Sequence, residues 1–313
     1  SPAAMLGASR ANVDLLVFSL MVLALALVSR YSVAALVVLM TGVLFKIFPI
    51  LGVGFFLHKE RNAGLRFMAC AAALSLVYFA VTFRDMLLIF SITERGYEEA
   101  YGAAVLPALL KRLAIAPDLL ERSVLYVQIL RSVDAFLLQF PIAPYLLAGL
   151  VLVVFACVGL RQRTTLITAD VRNLRAFWMG AGVYAGTFLL GNNFEYRLIF
   201  LLLCIPQLAE WSSRRQGVTT AAARLTLVLI LAALWATIVQ QPGIGTVLLP
   251  ENTIGLLDQA ANWMLLAAIA FMFGSSLPAW AVDDTTVWAR RLVRRPHAAA
   301  PAVGDENGMG KRA

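Results

Sequence analysis

Charged residues are scarce in this chain. Only 14% of its 313 residues are Asp, Glu, Lys or Arg, whereas 61% are hydrophobic. A soluble domain carries about 25% charged residues, so this composition excludes one. The net charge of +8 does not indicate nucleic acid as a partner, because the basic residues gather in short loops between apolar runs, as in membrane proteins.

Cysteine and histidine are rarer still, with three and two residues. Cys70, Cys157 and Cys204 lie in apolar segments without CxxC spacing, which argues against a disulfide framework or a metal site. The chain also lacks the GxSxG, HExxH and Walker A patterns of serine hydrolases, metalloproteases and nucleotide-driven pumps. The sequence therefore predicts no metal and no cofactor.

Long apolar runs dominate what is present. Because about 20 apolar residues cross the hydrocarbon core of a bilayer, they predict an all-α, polytopic transmembrane helix bundle. About eight spans are predicted, at residues 13–29, 32–57, 65–83, 142–160, 176–191, 195–211, 223–240 and 260–280.

Basic residues accumulate in alternate loops, at 58–66, 161–175 and 211–224, and in the tail. Since short cytoplasmic loops are enriched in Lys and Arg, we expect these loops and both termini of the chain to be cytoplasmic. Residues 84–141 then form one long external loop.

The external loop and the tail differ in pattern. In the loop, apolar residues recur at helical spacing from 119 to 140, which predicts an amphipathic helix on the outer interface, either capping the bundle or guiding substrate. We expect residues 1–289 to form the transmembrane domain. Residues 290–313, rich in Ala, Pro, Gly and charge, are expected to be a disordered basic cytoplasmic tail.

Lys46 is an ionisable residue near the middle of the 32–57 span. A lysine at that depth costs about 2.5–3.5 kcal/mol on insertion scales, so we expect it to face the bundle interior or a wet cavity. Pro49 removes a backbone donor and frees the carbonyl of Phe45. Two interpretations stay open: Lys46 satisfies the kinked backbone or pairs with an acidic neighbour, or it binds an anion such as a lipid phosphate.

A second polar run, Arg10-Ala-Asn12-Val-Asp14, precedes the first span. Arg10 and Asp14 can pair on one helix face, and Asp14 in the first turn complements the helix dipole. Helix capping is therefore a sufficient explanation of this run.

The densest polar cluster lies between the fifth and sixth spans, in Gly191-Asn-Asn193-Phe-Glu195-Tyr196-Arg197. Arginine suits a bidentate grip on phosphate, and amides suit sugar hydroxyls. The pattern favours substrate binding, and the alternative is a surface ion pair between Glu195 and Arg197.

These motifs occur in the order in which a known family has them. That order resembles bacterial membrane glycosyltransferases of the glycosyltransferase-C superfamily, mannosyltransferase-like branch, which commonly read R-G-N-x-D before a span and L-K-x-Y-P within the next. The chain departs from this pattern at Ala11 and Phe48, and the resemblance covers residues 1 to about 210. It is carried by Arg-Ala-Asn12-Val-Asp14, Phe45-Lys46-Ile-Phe-Pro49, Asn193-Phe-Glu195-Tyr196-Arg197 and Pro206.

The resemblance implies transfer of a sugar such as mannose from an undecaprenyl- or decaprenyl-phosphate donor to a glycan or lipid-linked acceptor, on the outer face of the bacterial inner membrane. The family's catalytic carboxylate lies in its first external loop, and no position here matches it. We expect that residue upstream of Ser1, so none is assigned. The residues implied in substrate binding are Asn12, Asp14, Lys46, Asn193, Glu195, Tyr196 and Arg197.

Two other classes of protein stay open. A secondary transporter or lipid flippase would use Lys46 as its coupling or binding charge, and a non-catalytic membrane subunit would need no chemistry at all.

Overall fold

A computed structural model of the chain describes residue 5 and residues 12–92, 100–115, 128, 132–133, 135–137, 139–162, 170–191, 193–214, 217–239 and 251–282. The chain divides into two compact units, residues 1–277 and 278–313, and the description below concerns the first. The predicted tail at 290–313 and most of the predicted interfacial helix at 119–140 lie outside the described residues.

Most of the described residues of the first unit are helical, in agreement with the predicted all-α class. Its two short strands pair antiparallel, with Ala100 opposite Phe194 and Tyr101 opposite Asn193. In chain order the elements are α1 (Asp14–Leu27), α2 (Ser32–Phe45), the 3₁₀ helix η1 (Phe48–His58), α3 (Arg61–Ile92), β1 (Ala100–Tyr101), α4 (Val105–Ile115), α5 (Ala143–Arg161), α6 (Val171–Leu189), β2 (Asn193–Phe194), the 3₁₀ helix η2 (Glu195–Cys204), α7 (Ile205–Ser212), α8 (Val218–Val239) and α9 (Glu251–Ser276).

Four helices among the described residues are long and apolar enough to cross a membrane: they lie in α3, α5, α8 and α9. The elements α1, α2 and η1 are apolar but shorter. The structure thus agrees with a helical membrane protein, whereas the predicted number of about eight spans is not confirmed.

The apolar run at 32–57 folds as two elements. α2 ends at Phe45, and Lys46 has an extended backbone (φ −153°, ψ 136°) before η1 begins at Phe48. Pro49 has no N–H to donate, so it does not extend a helix begun upstream but fits the first turn of a new one.

The chain therefore reverses direction at Lys46. α2 and α3 make two side-chain contacts: Ser75 Oγ lies 4.0 Å from Met40 Sδ, and Tyr78 OH lies 3.0 Å from the carbonyl oxygen of Leu44. The later residue of α2 contacts the later residue of α3, so the two helices are parallel. Because η1 joins the end of α2 to the start of α3, it runs back between them. The predicted position of Lys46 in the middle of one span is wrong, since it lies at a turn between two elements.

α3 extends beyond the predicted end of the third span at residue 83. Arg84 and Asp85 are exposed inside this helix rather than at its end. The apolar residues 86–90 prolong the helix past this polar pair. The predicted external loop at 84–141 therefore starts inside α3, and it also contains α4.

Two apolar clusters form the core of the first unit. One surrounds Trp178 and Trp211, where α6 packs with η2, α7, α8 and α9. The other surrounds Phe48 and Phe200, where η1 and η2 pack with α1 and α2. The second cluster positions the candidate functional site described below, because η1 and η2 begin next to the polar residues of that site.

Close contact between η1 and α6 depends on a glycine. A Cβ atom at Gly182 of α6 would lie 2.3 Å from the carbonyl oxygen of Leu51 in η1, far closer than real Cβ atoms approach. Small residues allow membrane helices to bring their backbones into contact in this way. The contact fixes the level of η1 along α6, and thereby places Lys46 near the end of α6.

Gly182→Ala is expected to destabilise the protein, because overpacking of this kind costs about 1–3 kcal/mol. Gly149→Ala in α5 is the matched control, since nothing lies within 4 Å of its Cβ position. Thermal unfolding in detergent should show a lower Tm for Gly182→Ala and an equal or higher Tm for the control, because alanine is intrinsically the better helix residue. Equal melting temperatures for both variants would contradict the close contact.

Candidate functional site

The carboxylate of Asp14 is the centre of the candidate site. Asp14 is the first residue of α1 and only 1% exposed. Its Oδ1 lies 2.7 Å from Lys46 Nζ, and its Oδ2 lies 3.4 Å from Arg197 Nε. One buried carboxylate therefore holds two cationic side chains.

Lys46 reaches this carboxylate from the turn between α2 and η1. Its ammonium also donates a hydrogen bond to Asn12 Oδ1 (3.1 Å), which in turn accepts from the backbone N–H of Asp14 (3.0 Å). The ring of Tyr196 lies 5.6 Å from Lys46 Nζ, within the range of a cation–π interaction. These contacts explain how an ammonium group is tolerated beside apolar helices.

Arg197 approaches from the other side, in the first turn of η2. Its guanidinium carbon lies 5.1 Å from the centre of the Phe48 ring. Its Nη1 donates to Asn193 Oδ1, and Asn193 Nδ2 donates to the carbonyl of Thr187 in α6. The residues Asn12, Asp14, Lys46, Asn193 and Arg197 are called the Asp14 cluster below.

The Asp14 cluster carries an excess of positive charge, since two cations share one carboxylate. Each cation also has a donor left over. Lys46 donates one of its three ammonium N–H groups to Asn12, and its contact with Asp14 Oδ1 is an ion pair without hydrogen-bond geometry. Nη2 of Arg197 has no partner among the described residues. Both side chains are 22% exposed, so an anion can approach them.

The structure brings together most of the residues that the sequence singled out. Asn12, Asp14, Lys46, Asn193 and Arg197 meet directly, and Tyr196 touches the cluster through its ring. Of the two interpretations left open for Lys46, the structure shows its pairing with an acidic neighbour, Asp14, and anion binding stays a prediction. The predicted Arg10–Asp14 pair involves a residue outside the described part of the chain.

The burial of Glu195 excludes the alternative interpretation of the 191–197 run, and its expected role in substrate binding stays a prediction. Glu195 is fully buried, so a surface ion pair with Arg197 is wrong. Its carboxyl lies close enough to Asp258 in α9 for the two groups to interact electrostatically. Glu195 therefore faces a second polar region.

That region, the Asp258 network of Asp258, Gln259 and Asn262, was missed by sequence reasoning. Asn262 Nδ2 donates to Asp258 Oδ1, and Gln259 Nε2 donates to Asp258 Oδ2, both at 3.1 Å. Gln259 Nε2 also donates to the carbonyl of Ala100 in β1 (2.9 Å). The signal was the spacing of polar residues on one helical face. The last span was predicted to begin at residue 260, which left two of the three residues, Asp258 and Gln259, in a loop.

A buried tyrosine lies between the two polar regions. Tyr101 of β1 shares a hydrogen bond with Thr187 Oγ1 (2.9 Å) and stacks on Tyr184. Burial raises the pKa of Tyr101 to about 12, so its phenol stays protonated at neutral pH. Tyr184 in turn donates to the backbone carbonyl of Asn262 (2.9 Å), which links α6 to α9.

The contact between Asp14 and Arg197 also bears on membrane topology. Two side chains 3.4 Å apart lie at the same depth. The expectation that the chain begins on the cytoplasmic side, while residues 192–196 lie outside, is therefore inconsistent with the structure. At least one of these two placements is wrong.

Comparison of the chain with protein-family models, with curated proteins and with solved structures finds no match. We therefore infer what the site can bind from its own chemistry: a partly exposed cluster of two cations, one carboxylate and two amide groups.

Asp14→Asn is expected to lower stability by about 2 kcal/mol or more, because it leaves two neighbouring cations without their carboxylate. Breaking a fully buried pair costs about 3–5 kcal/mol, and partial exposure of the cations reduces that value. Adding Lys46→Met should recover part of the loss by removing one of the two like charges. Asp85→Asn, at an exposed position of α3, is the control, and melting temperatures in detergent measure all four proteins. A Tm of Asp14→Asn equal to that of Asp85→Asn would contradict the central role of Asp14.

Proposed function

We propose that this chain belongs to a membrane glycosyltransferase that takes a sugar, such as mannose, from a polyprenyl-phosphate donor. The acceptor is a glycan or a lipid-linked molecule on the outer face of a bacterial inner membrane. The observation that carries the proposal is the Asp14 cluster, in which Lys46 and Arg197 share one carboxylate and each keeps a donor for an anion.

The donors that remain suit a phosphate. A guanidinium is planar and an ammonium is a compact point charge, and both bind phosphate oxygens through charge-assisted hydrogen bonds. The neighbouring elements α1, α2 and η1 are apolar. A ligand that places an anion at the ends of these helices and a hydrocarbon chain along their sides is a lipid phosphate.

The same arrangement supports the chemistry of sugar transfer. An acceptor hydroxyl attacks the anomeric carbon, the bond from that carbon to the phosphate oxygen breaks, and its electron pair remains on the polyprenyl phosphate. Lys46 and Arg197 would stabilise the negative charge that develops there. Asp14 is an unsuitable general base, because its carboxylate already balances two cations. The base that takes the hydroxyl proton is not assigned within the Asp14 cluster.

We infer the orientation of the site from the basic residues at the opposite end of the bundle. There Arg175 Nη1 donates to Ser29 Oγ (2.6 Å). Burial, together with the charges of Arg175 and Lys59, lowers the pKa of His58 to about 4. Since basic loops are cytoplasmic, we place this end inside and the Asp14 cluster outside. Residue 14 is then external, which replaces the expected cytoplasmic start of the chain.

Arg197→Lys is expected to weaken binding of a polyprenyl-phosphate sugar about tenfold or more. Lysine keeps the charge but loses the planar guanidinium, which holds Asp14 through Nε and Asn193 through Nη1 while Nη2 donates to the phosphate. Arg214→Lys is the matched control, since Arg214 forms a part-exposed pair with Glu210 on the helical surface (3.0 Å). Binding is measured with the labelled donor and protein in nanodiscs. If Arg197→Lys and the parent bind the donor equally, the proposed phosphate contact is refuted.

A lipid flippase is the second candidate. The observation that favours it is the Lys46–Asp14 pair, because a carboxylate that balances the cations in the absence of ligand would compete with a bound phosphate and promote its release. Movement of labelled polyprenyl phosphate across proteoliposomes would favour this candidate, and sugar transfer without such movement would favour the transferase.

A further inference from the structure

A groove lies between α2 and α3 and is open on the outside of the bundle. Its volume is about 330 Å³, at the small end of the range of about 300–1,000 Å³ for ligand pockets. Val37 and Leu44 on one wall and Leu74 on the other are exposed, whereas Leu36 is buried. The lining residues of this α2–α3 groove are Leu36, Val37, Met40, Thr41, Leu44, Leu74 and Tyr78.

The α2–α3 groove offers hydrocarbon and no unsatisfied polar group. Its two hydroxyl groups are bonded inside the protein: Thr41 Oγ1 donates to the carbonyl of Val37 (3.0 Å), and Tyr78 OH donates to the carbonyl of Leu44 (3.0 Å). The two hydroxyl groups therefore have no proton left to donate to a ligand. The groove is therefore suited to a hydrocarbon chain.

The groove ends beside the Asp14 cluster. Its lining on α2 runs from Leu36 to Leu44, a length of about 12 Å at 1.5 Å per helical residue. Lys46 follows Leu44 after two residues, at most about 7 Å further along the chain. A hydrocarbon chain lying in the groove would thus present a headgroup at its end to the ammonium of Lys46.

On the basis of the proposed function, we propose that the α2–α3 groove holds the isoprenoid units nearest the phosphate of the donor lipid. Charge complementarity supports this occupant, because the excess positive charge of the Asp14 cluster lies at one end of the groove.

The test compares two leucines of α3 that differ in one respect. Leu74 lines the groove, whereas Leu76 is exposed elsewhere on the same helix. Dissociation constants are measured in nanodiscs for undecaprenyl phosphate and for prenyl phosphate, which has a single isoprene unit. Leu74→Trp should fill the groove and weaken undecaprenyl phosphate binding about tenfold, the effect of about two methylene groups left unburied. Prenyl phosphate binding should change by no more than about twofold. Its single isoprene unit offers little hydrocarbon for the tryptophan to displace from the groove.

Leu76→Trp should bind both probes as the parent does. Val37→Trp, from the other wall, serves as a second variant and should repeat the effect of Leu74→Trp at an unchanged Tm.

The outcomes separate this inference from the proposed function. If the parent binds undecaprenyl phosphate and both groove variants bind it equally well, the groove assignment is overturned while the proposed function stands. If the parent binds neither probe, both are overturned. Equal competition by phosphatidylglycerol would also overturn the assignment, because the groove would then be a general lipid contact.

Discussion

The buried carboxylate of Asp14 is the constraint on which the site depends. Without it, Lys46 and Arg197 would be two like charges beside apolar helices, where an unpaired charge is strongly unfavourable. With it, the start of α1, the turn after α2 and the start of η2 are held together. Because one carboxylate neutralises only one of the two cations, one positive charge remains. The same residues therefore form a structural ion pair and a site that can bind an anion.

Backbone packing brings these three helix ends to one level. Pro49 ends any continuous helix through the 32–57 run, and η1 turns back along α6, where Gly182 lets the two backbones touch. Each 3₁₀ helix begins two residues after a member of the Asp14 cluster: η1 begins at Phe48 after Lys46, and η2 begins at Glu195 after Asn193. A 3₁₀ helix rises about 2.0 Å per residue, so eleven residues cover about 22 Å, comparable to the fourteen-residue helices α1 and α2.

The short β1–β2 pair links the cationic site to the rest of the bundle. Gln259 of α9 holds the carbonyl of Ala100, whose strand pairs with the strand that carries Asn193. Asn193 then fixes the guanidinium of Arg197. The orientation of Arg197 thus depends on polar residues of α9 that do not contact the Asp14 cluster, and this explains why buried amides occur in an otherwise apolar helix.

The sequence by itself determined the class of the protein and most residues of the site, because composition, apolar run length and misplaced polar groups are local properties. It located Asn12, Asp14, Lys46, Asn193, Glu195, Tyr196 and Arg197 as separate features, and it overlooked Asp258. Tertiary structure alone decided that Asp14 and Arg197, 183 residues apart, form one pair, that the 32–57 run folds back at Lys46, and that Glu195 is buried. The physical reason is that a hydrophobicity pattern records which residues avoid water, whereas the choice of partners for a buried charge depends on which helix ends packing brings to the same depth.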